Sequence, residues 1–215
     1  MKVGTKSLLF GVHLWWWHPF VVALAWWKLY GFPWDPRLWV AFLVHDWGYW
    51  GCPEMDGPKG ELHPYAGAKI MHWLFDYHHK DLWSWNPLRF LRYLSGNYDG
   101  ARWYFFCLNH SRFLAKRNGD EPSRLCMADK LAVALEPWWL YLPRAWASGE
   151  LKEYMRSSAP DGKHGHMNLN QVTAKGWYQS VQRYLLDYAQ EHKDGKKDNV
   201  TQISPMERYT GKIGV

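Results

Sequence analysis

Two histidines and two aspartates in this 215-residue chain have the types and the setting for metal chemistry. His18 opens an apolar stretch, "HPFVVALAWW". His45 and Asp46 stand side by side at the end of another, "LWVAFLVHDWG", and Asp129 lies within a third, "CMADKLAVAL". A pair of neutral imidazoles with a pair of carboxylates is a donor set that suits one divalent transition ion. Adjacent residues on a helix point about 100° apart, so His45 and Asp46 reach one ion together only at a helix end. Gly48 marks such an end. A His-Asp dipeptide alone is a weak signal, and it gains weight from the order and helical setting of all four residues. His13 is the rival to His18, because proline straight after a ligand is unusual inside a helix. Pro19 in the first helical position removes that objection.

The elements that must position these groups are punctuated by proline and glycine. A helix opens at Pro19 and runs to about Lys28, stopped by Gly31 and Pro33. Asp35 reads as an N-cap with Pro36 behind it. Leu38, Ala41, Phe42 and His45 then share one face by their i, i+3, i+4, i+7 spacing. Residues 48–61 form a loop rich in Gly and Pro. "HPYAGAKIMHWLFDYHH" begins the next helix with Pro64, and a Trp-rich helix or connector follows near 80–95. Residues 98–110 lead to "CLNHSR". "EPSRLCMADKLAVALE" is a helix set between Pro122 and Pro137. Beyond it come "LKEYM", a loop "SSAPDGKHGHMN", an amphipathic helix near 169–192, and a loosely ordered tail. The chain has no internal repeat or low-complexity segment.

Composition narrows the class. Only three Ile and four Thr are present, which is poor in the residues strands favour and points to a mostly helical chain. Seventeen Trp include runs at 15–17, 26–27 and 138–139, expected first in the core and in packing, at core edges or along a groove. The net charge of +6 suits an anionic ligand. The basic clusters "KRNGDEPSR", of mixed sign, and "HKDGKKD", which reads as a solvated loop, do not make a nucleic-acid footprint. Cys52, Cys107 and Cys126 are an odd set without a C-x-x-C motif, which implies free thiols, a reducing compartment and a cytoplasmic location. The basic start Met1–Lys6 is not followed by a small-residue cleavage site, so it does not read as a secretory signal. The apolar stretch 14–27 is too short to span a bilayer and contains His18 and Pro19. It reads as a buried helix in preference to an interfacial membrane contact through its Trp residues.

The order His18, His45–Asp46, Asp129 resembles the HD-domain superfamily of metal-dependent phosphohydrolases. "HPFVVALAWWKLYG" is similar to that family's first helix, "LWVAFLVHDWG" to its signature helix, and "MADKLAVALEP" to its last ligand helix, so that the likeness covers residues 13–137. It implies an all-α HD-domain helical bundle, with a metal-binding domain at 1–137 and a C-terminal helical extension at 138–215 packed on it. "ELHPYAGAKI" resembles the His-Pro-x-x-Gly-Ala segment of binuclear members, and "NHSR" falls where they carry a further histidine. The resemblance therefore implies one ion on His18, His45, Asp46 and Asp129, and a second on Asp46, His63 and His110, with Asp46 as the bridge. Asn109 departs from the His-His pair of many binuclear members. The spacing from His110 to Asp129 is most similar to that of the small bacterial subgroup cleaving diadenosine tetraphosphate.

The implied activity is hydrolysis of a phosphoester or phosphoanhydride bond in a phosphorylated small molecule, with a nucleotide the leading class. One or two divalent transition ions, Fe, Mn or similar, would lower the pKa of a bridging water to give the attacking hydroxide, and Asp46 is the catalytic residue. Arg112 and Lys130 are the phosphate candidates. Lys116 and Arg117 read mainly as solvated charge. Trp47, Tyr49 and Trp50 are candidates for stacking on a base or sugar. No residue stands out as a general acid. His72, His78 and His79 read as structural or surface groups, His164 and His166 as loop histidines or a metal clip, and Glu54, Asp56 and Glu61 as loop acids near His63. Two other classes fit the same residues: a mixed-valent di-iron oxygenase on the same scaffold, and a non-catalytic protein that binds a nucleotide or a membrane face.

Overall fold

The computed structural model describes residues 1–76 and 101–193. These residues form α1 (Val3–Phe10), α2 (His18–Tyr30), α3 (Pro36–Val44), α4 (Pro64–Met71), α5 (Arg102–Leu108), α6 (Arg112–Asn118), α7 (Arg124–Leu135), α8 (Trp138–Ser148), α9 (Glu150–Ser157) and α10 (Ala174–Lys193). There is no strand among them, and the fold is all-α. The expected Trp-rich segment near 80–95, His78, His79 and the tail beyond 193 lie outside the described residues.

Local chemistry sets the helix boundaries. Pro19 sits in the first turn of α2, and Gly31 ends that helix with φ of 86°, a left-handed value that favours glycine. The Asp35 side chain accepts a hydrogen bond from the Arg37 backbone N–H at 2.9 Å, capping α3, and Pro36 fills the first helical position. Pro64 opens α4, which runs on into a π-type turn at His72–Asp76. Asp76 accepts from the backbone N–H groups of Trp103 and Tyr104, tying that turn to the start of α5.

The core lies between α2, α3, α4, α5, α7 and α10. Val22 and Ala25 of α2, Phe42 of α3, Ala68 of α4 and Leu125 of α7 are all fully buried in it. Small residues on α2 and α7, among them Ala25, Ala128 and Ala132, let these two helices lie close. Described residues beyond 137 belong to the same interior. Leu185 and Ala189 of α10 join the main core, while Trp177 and Tyr178 form a second cluster with Val12, Tyr141 and Ala145. Tyr178 stacks on Tyr141 at 4.2 Å and donates its hydroxyl to the carbonyls of Val133 and Glu136. Gln182 donates to the carbonyls of Ala134 and Glu136, so α10 satisfies the C-terminal end of α7.

The Trp residues differ from the expectation of core packing. Trp26, Trp103 and Trp177 are buried, but Trp15, Trp16, Trp27, Trp34, Trp39, Trp138 and Trp139 are exposed. The helix period explains the split at 26–27: neighbours diverge by about 100°, so one indole enters the core and the next leaves it. No described helix is long and apolar enough to cross a membrane.

Candidate metal centre

Helix ends deliver most of the site. His18 is the first residue of α2, His63 immediately precedes α4, and His110 follows α5 by two positions. His45 extends the helical backbone past Val44 with φ −56° and ψ −35°, and Asp46 leaves it with φ −96° and ψ 1°. The change of backbone lets two neighbouring side chains converge. Asp129 alone comes from mid-helix, on the buried face of α7.

The six residues converge as two sets that share Asp46: His18, His45, Asp46 and Asp129, and Asp46, His63 and His110. Within each set the donor atoms lie within 4.8 Å of one another. Asp46 divides its carboxylate between them. Its Oδ2 lies 3.1 Å from His45 Nε2 and 3.4 Å from His18 Nε2, and its Oδ1 lies 3.4 Å from His63 Nε2 and 3.5 Å from His110 Nε2. Asp129 Oδ1 is 3.1 Å from His18 Nε2 and 3.8 Å from His45 Nε2.

Three rings are fixed from behind by backbone carbonyls. Nδ1 of His45 lies 2.9 Å from Phe42 O, Nδ1 of His63 2.7 Å from Gly60 O, and Nδ1 of His110 2.6 Å from Cys107 O. Each Nδ1–H donated to its carbonyl leaves the Nε2 lone pair facing the centre, the arrangement that metal-bound histidines use. His63 Nε2 and His110 Nε2 are only 3.0 Å apart. Two lone pairs at that distance repel, and a shared cation removes the repulsion. His45 Nε2 and Asp46 Oδ2 are buried 3.1 Å apart, yet neither makes a well-aligned hydrogen bond. Buried polar atoms are ordinarily satisfied, so the orphaned pair points to a ligand. Either set, or both, could hold a metal ion.

Electrostatics agree. Burial opposes ionisation of Asp46, but His45, His13 and His110 overcome it and hold the carboxyl well below its ordinary range. Asp129 is held low in the same way, against burial, by Lys130, His18 and His45. Both stay ionised, the form that binds cations. Burial works against charge on His45, yet Asp46 and Asp129 raise it to about 10 in the metal-free site. A cation bound there would have to displace the proton that His45 Nε2 shares with Asp46. Burial takes His63 down to about 4, with His110 adding to the effect against the pull of Asp46.

A cavity of about 290 Å³ extends from Asp46, His63, His110 and Asp129. Arg112, Lys116 and Lys130 stand on its lining. The Arg112 guanidinium lies over the Tyr188 ring at 4.9 Å, and Lys130 Nζ is 3.4 Å from Asp129 Oδ2. Tyr49 also lines the cavity, stacked on the His63 ring at 4.0 Å. Trp47, Trp50 and Arg117 are exposed and are not part of that lining. Asn109 turns its amide to Asp120 at 3.2 Å, which braces the approach to α7. His72 Nδ1 lies 3.4 Å from Asp76 Oδ2, and His72 is not part of the cavity lining. Glu61 and Asp56 are on the cavity lining, Glu61 in an ion pair with Lys163, while Glu54 accepts from the Lys59 backbone.

Two groups reach the cavity that their sequence setting does not place there. Lys163, His164 and His166, in the stretch that reads as a flexible loop, line the cavity. His13 also lines it, and its Nδ1 lies 3.1 Å from Oε1 of Glu150. Glu150 is fully buried and accepts from Ser7 Oγ, the Val12 backbone N–H, Ser148 Oγ and Tyr154 OH. His13 packs edge-on against His18 at 5.4 Å and lies 5.0 Å from Tyr49. A charged residue following Ser148–Gly149 was the only available signal for this network, and charge at a helix start is ordinary. No family model, curated protein or solved structure matches the chain. The helical framework and its buried His/Asp cluster are compatible with an HD-type motif.

Proposed function

We propose that the chain is an HD-type metal-dependent phosphohydrolase acting on a phosphorylated small molecule, with a nucleotide as the leading class. The observation that carries this reading is the division of Asp46, one carboxylate oxygen toward each set of imidazoles. Divalent ions held there supply Lewis acidity, which makes water nucleophilic at neutral pH and offsets charge on a transferring phosphoryl group. The chain's own residues do the rest. The carbonyl anchors of His45, His63 and His110 fix the direction of each Nε2 before any ligand arrives. Lys130, Arg112 and Lys116 put positive charge along the cavity where phosphate oxygens would lie. Tyr49 and the other aromatic walls narrow the cavity and keep bulk water from its inner end.

Elemental analysis of the purified protein, joined to a phosphate-release screen under anaerobic conditions, tests the proposal. The screen covers nucleotides, dinucleoside polyphosphates and cyclic dinucleotides. Stoichiometric transition metal and oxygen-independent phosphate release are expected, and Asp46→Ala is expected to lose both. Turnover only with oxygen would move the reading to the di-iron oxygenase. Full metal content and activity in Asp46→Ala would defeat it outright.

A further inference from the structure

The face of α2 turned from the core is apolar rather than polar. Phe20, Leu24 and Trp27 follow one another at i, i+4 and i+7, and Phe20 and Trp27 are 61% and 56% exposed. The stripe continues around the connection to α3. Trp27 meets Phe32 edge-on at 5.7 Å, and Phe32 meets Trp34 at 4.5 Å and Trp39 at 6.5 Å. Trp34 is 84% exposed. Trp39 and Leu43, one turn apart and both exposed, extend the patch along α3. Exposed apolar residues scattered singly need no account, but a contiguous patch of this size marks an interaction surface.

The chemistry of the patch selects its occupant. Indole combines a broad apolar ring with one N–H, a match for the headgroup level of a bilayer, where one side is apolar and the other wet. From Trp15 to Val44 the one exposed or half-buried acid is Asp35, and Arg37 neutralises it in a two-pronged pair. Lys28, on the exposed side of α2, has no acidic partner among the described residues. The face is therefore aromatic with surplus positive charge, on a chain of net charge +6. A second copy meeting the same face would bring positive charge against positive charge.

We propose that this α2–α3 face seats on the surface of an anionic phospholipid bilayer, with its indoles at headgroup depth and no helix crossing. The proposal is independent of the metal centre and of the reaction. Co-sedimentation of the full chain with vesicles tests it, using phosphatidylcholine alone and phosphatidylcholine mixed with phosphatidylglycerol. The protein is expected to pellet with the mixed vesicles and much less with phosphatidylcholine. Combined Phe20→Ser, Trp27→Ser and Trp34→Ser should weaken that partition at least about tenfold with an unchanged helical spectrum. Lys28→Glu should weaken it by about fivefold or more on the anionic vesicles alone. Should the triple variant misfold, brominated phosphatidylcholine mixed into the anionic vesicles reads the contact in the native chain. Tryptophan emission is expected to be quenched, and less so in Trp34→Ser. No pelleting with anionic vesicles, or undiminished binding by a folded triple variant, overturns the proposal. Equal binding to both vesicle types overturns the anionic assignment. Self-association that the triple variant abolishes, without vesicle binding, would give the face to a second copy instead.

Discussion

Removing Asp46 differs in kind from removing any one histidine, because it takes an oxygen from both donor sets at once. Asp46→Ala is therefore expected to abolish metal binding. His63→Ala, which leaves His18, His45, Asp46 and Asp129 intact, should lose no more than one ion per chain; metal analysis of the two variants side by side checks this. Glu150 is the second residue with unequal weight. Five donors converge on one fully buried carboxylate, and Glu150→Gln turns one acceptor oxygen into a donor facing them. The expected cost is about 3 kcal/mol near neutral pH, read by chemical denaturation. Glu150 is held below its ordinary 4.5, because His13, Ser148 and the Val12 backbone outweigh its burial. A carboxyl lowered in the folded state stabilises the fold above its unfolded value, and that stability is lost as pH falls through the folded value. The gap between the native chain and Glu150→Gln should therefore be full at pH 7 and shrink below about 4.5. Of the six converging residues, His18, His45, Asp46 and Asp129 were legible in the sequence because each sits at a punctuated helix end or inside an apolar run, where a charge needs a reason, while His63 and His110 were reached only through the family resemblance. Glu150 was not legible, because its partners Ser7, Val12 and His13 lie 137 to 143 residues away.

Between elements, two glycines hold the distances that the site needs. A Cβ at Gly48 would stand 2.0 Å from the carbonyl oxygen of His63, and one at Gly67 would stand 2.5 Å from that of Val44 and 2.9 Å from Cα of His45. These neighbours are backbone and cannot swing aside. Gly67→Ala is expected to cost about 1–3 kcal/mol by pushing α4 from the end of α3. Gly48→Ala should move His63 away from Asp46, so that metal content falls together with thermal stability; calorimetry and metal analysis of one preparation separate the two effects. The starts of α2, α3 and α4 could be read from Pro19, Asp35–Pro36 and Pro64. α1 and α8 could not. α1 is a short helix without a clear apolar stripe, and α8 carries Pro143 in its interior, which argues locally against a helix that tertiary packing nevertheless holds.

At the scale of the molecule, the described part beyond residue 137, residues 138–193, is structural core as well as surface. Tyr178 and Gln182 satisfy the end of α7, and Leu185 and Ala189 complete the cluster around Val22 and Phe42. A chain ending at residue 137 is expected to stay largely unfolded and to bind no metal stoichiometrically, which circular dichroism and metal analysis would show together. An independently folding, metal-loaded fragment would contradict this. The carboxylate knot at Glu150 adds a temporal consequence. On the ribosome, Ser7 and His13 emerge long before the residue that holds them is made, and α7 emerges before α10 exists to cover it. The nascent chain must carry Ser7 and His13 uncommitted until Glu150 is made, and the covered face of α7 until Ala174–Lys193 is made. The interval before α10 is made is when the apolar faces of α2 and α7 are most open to a wrong partner.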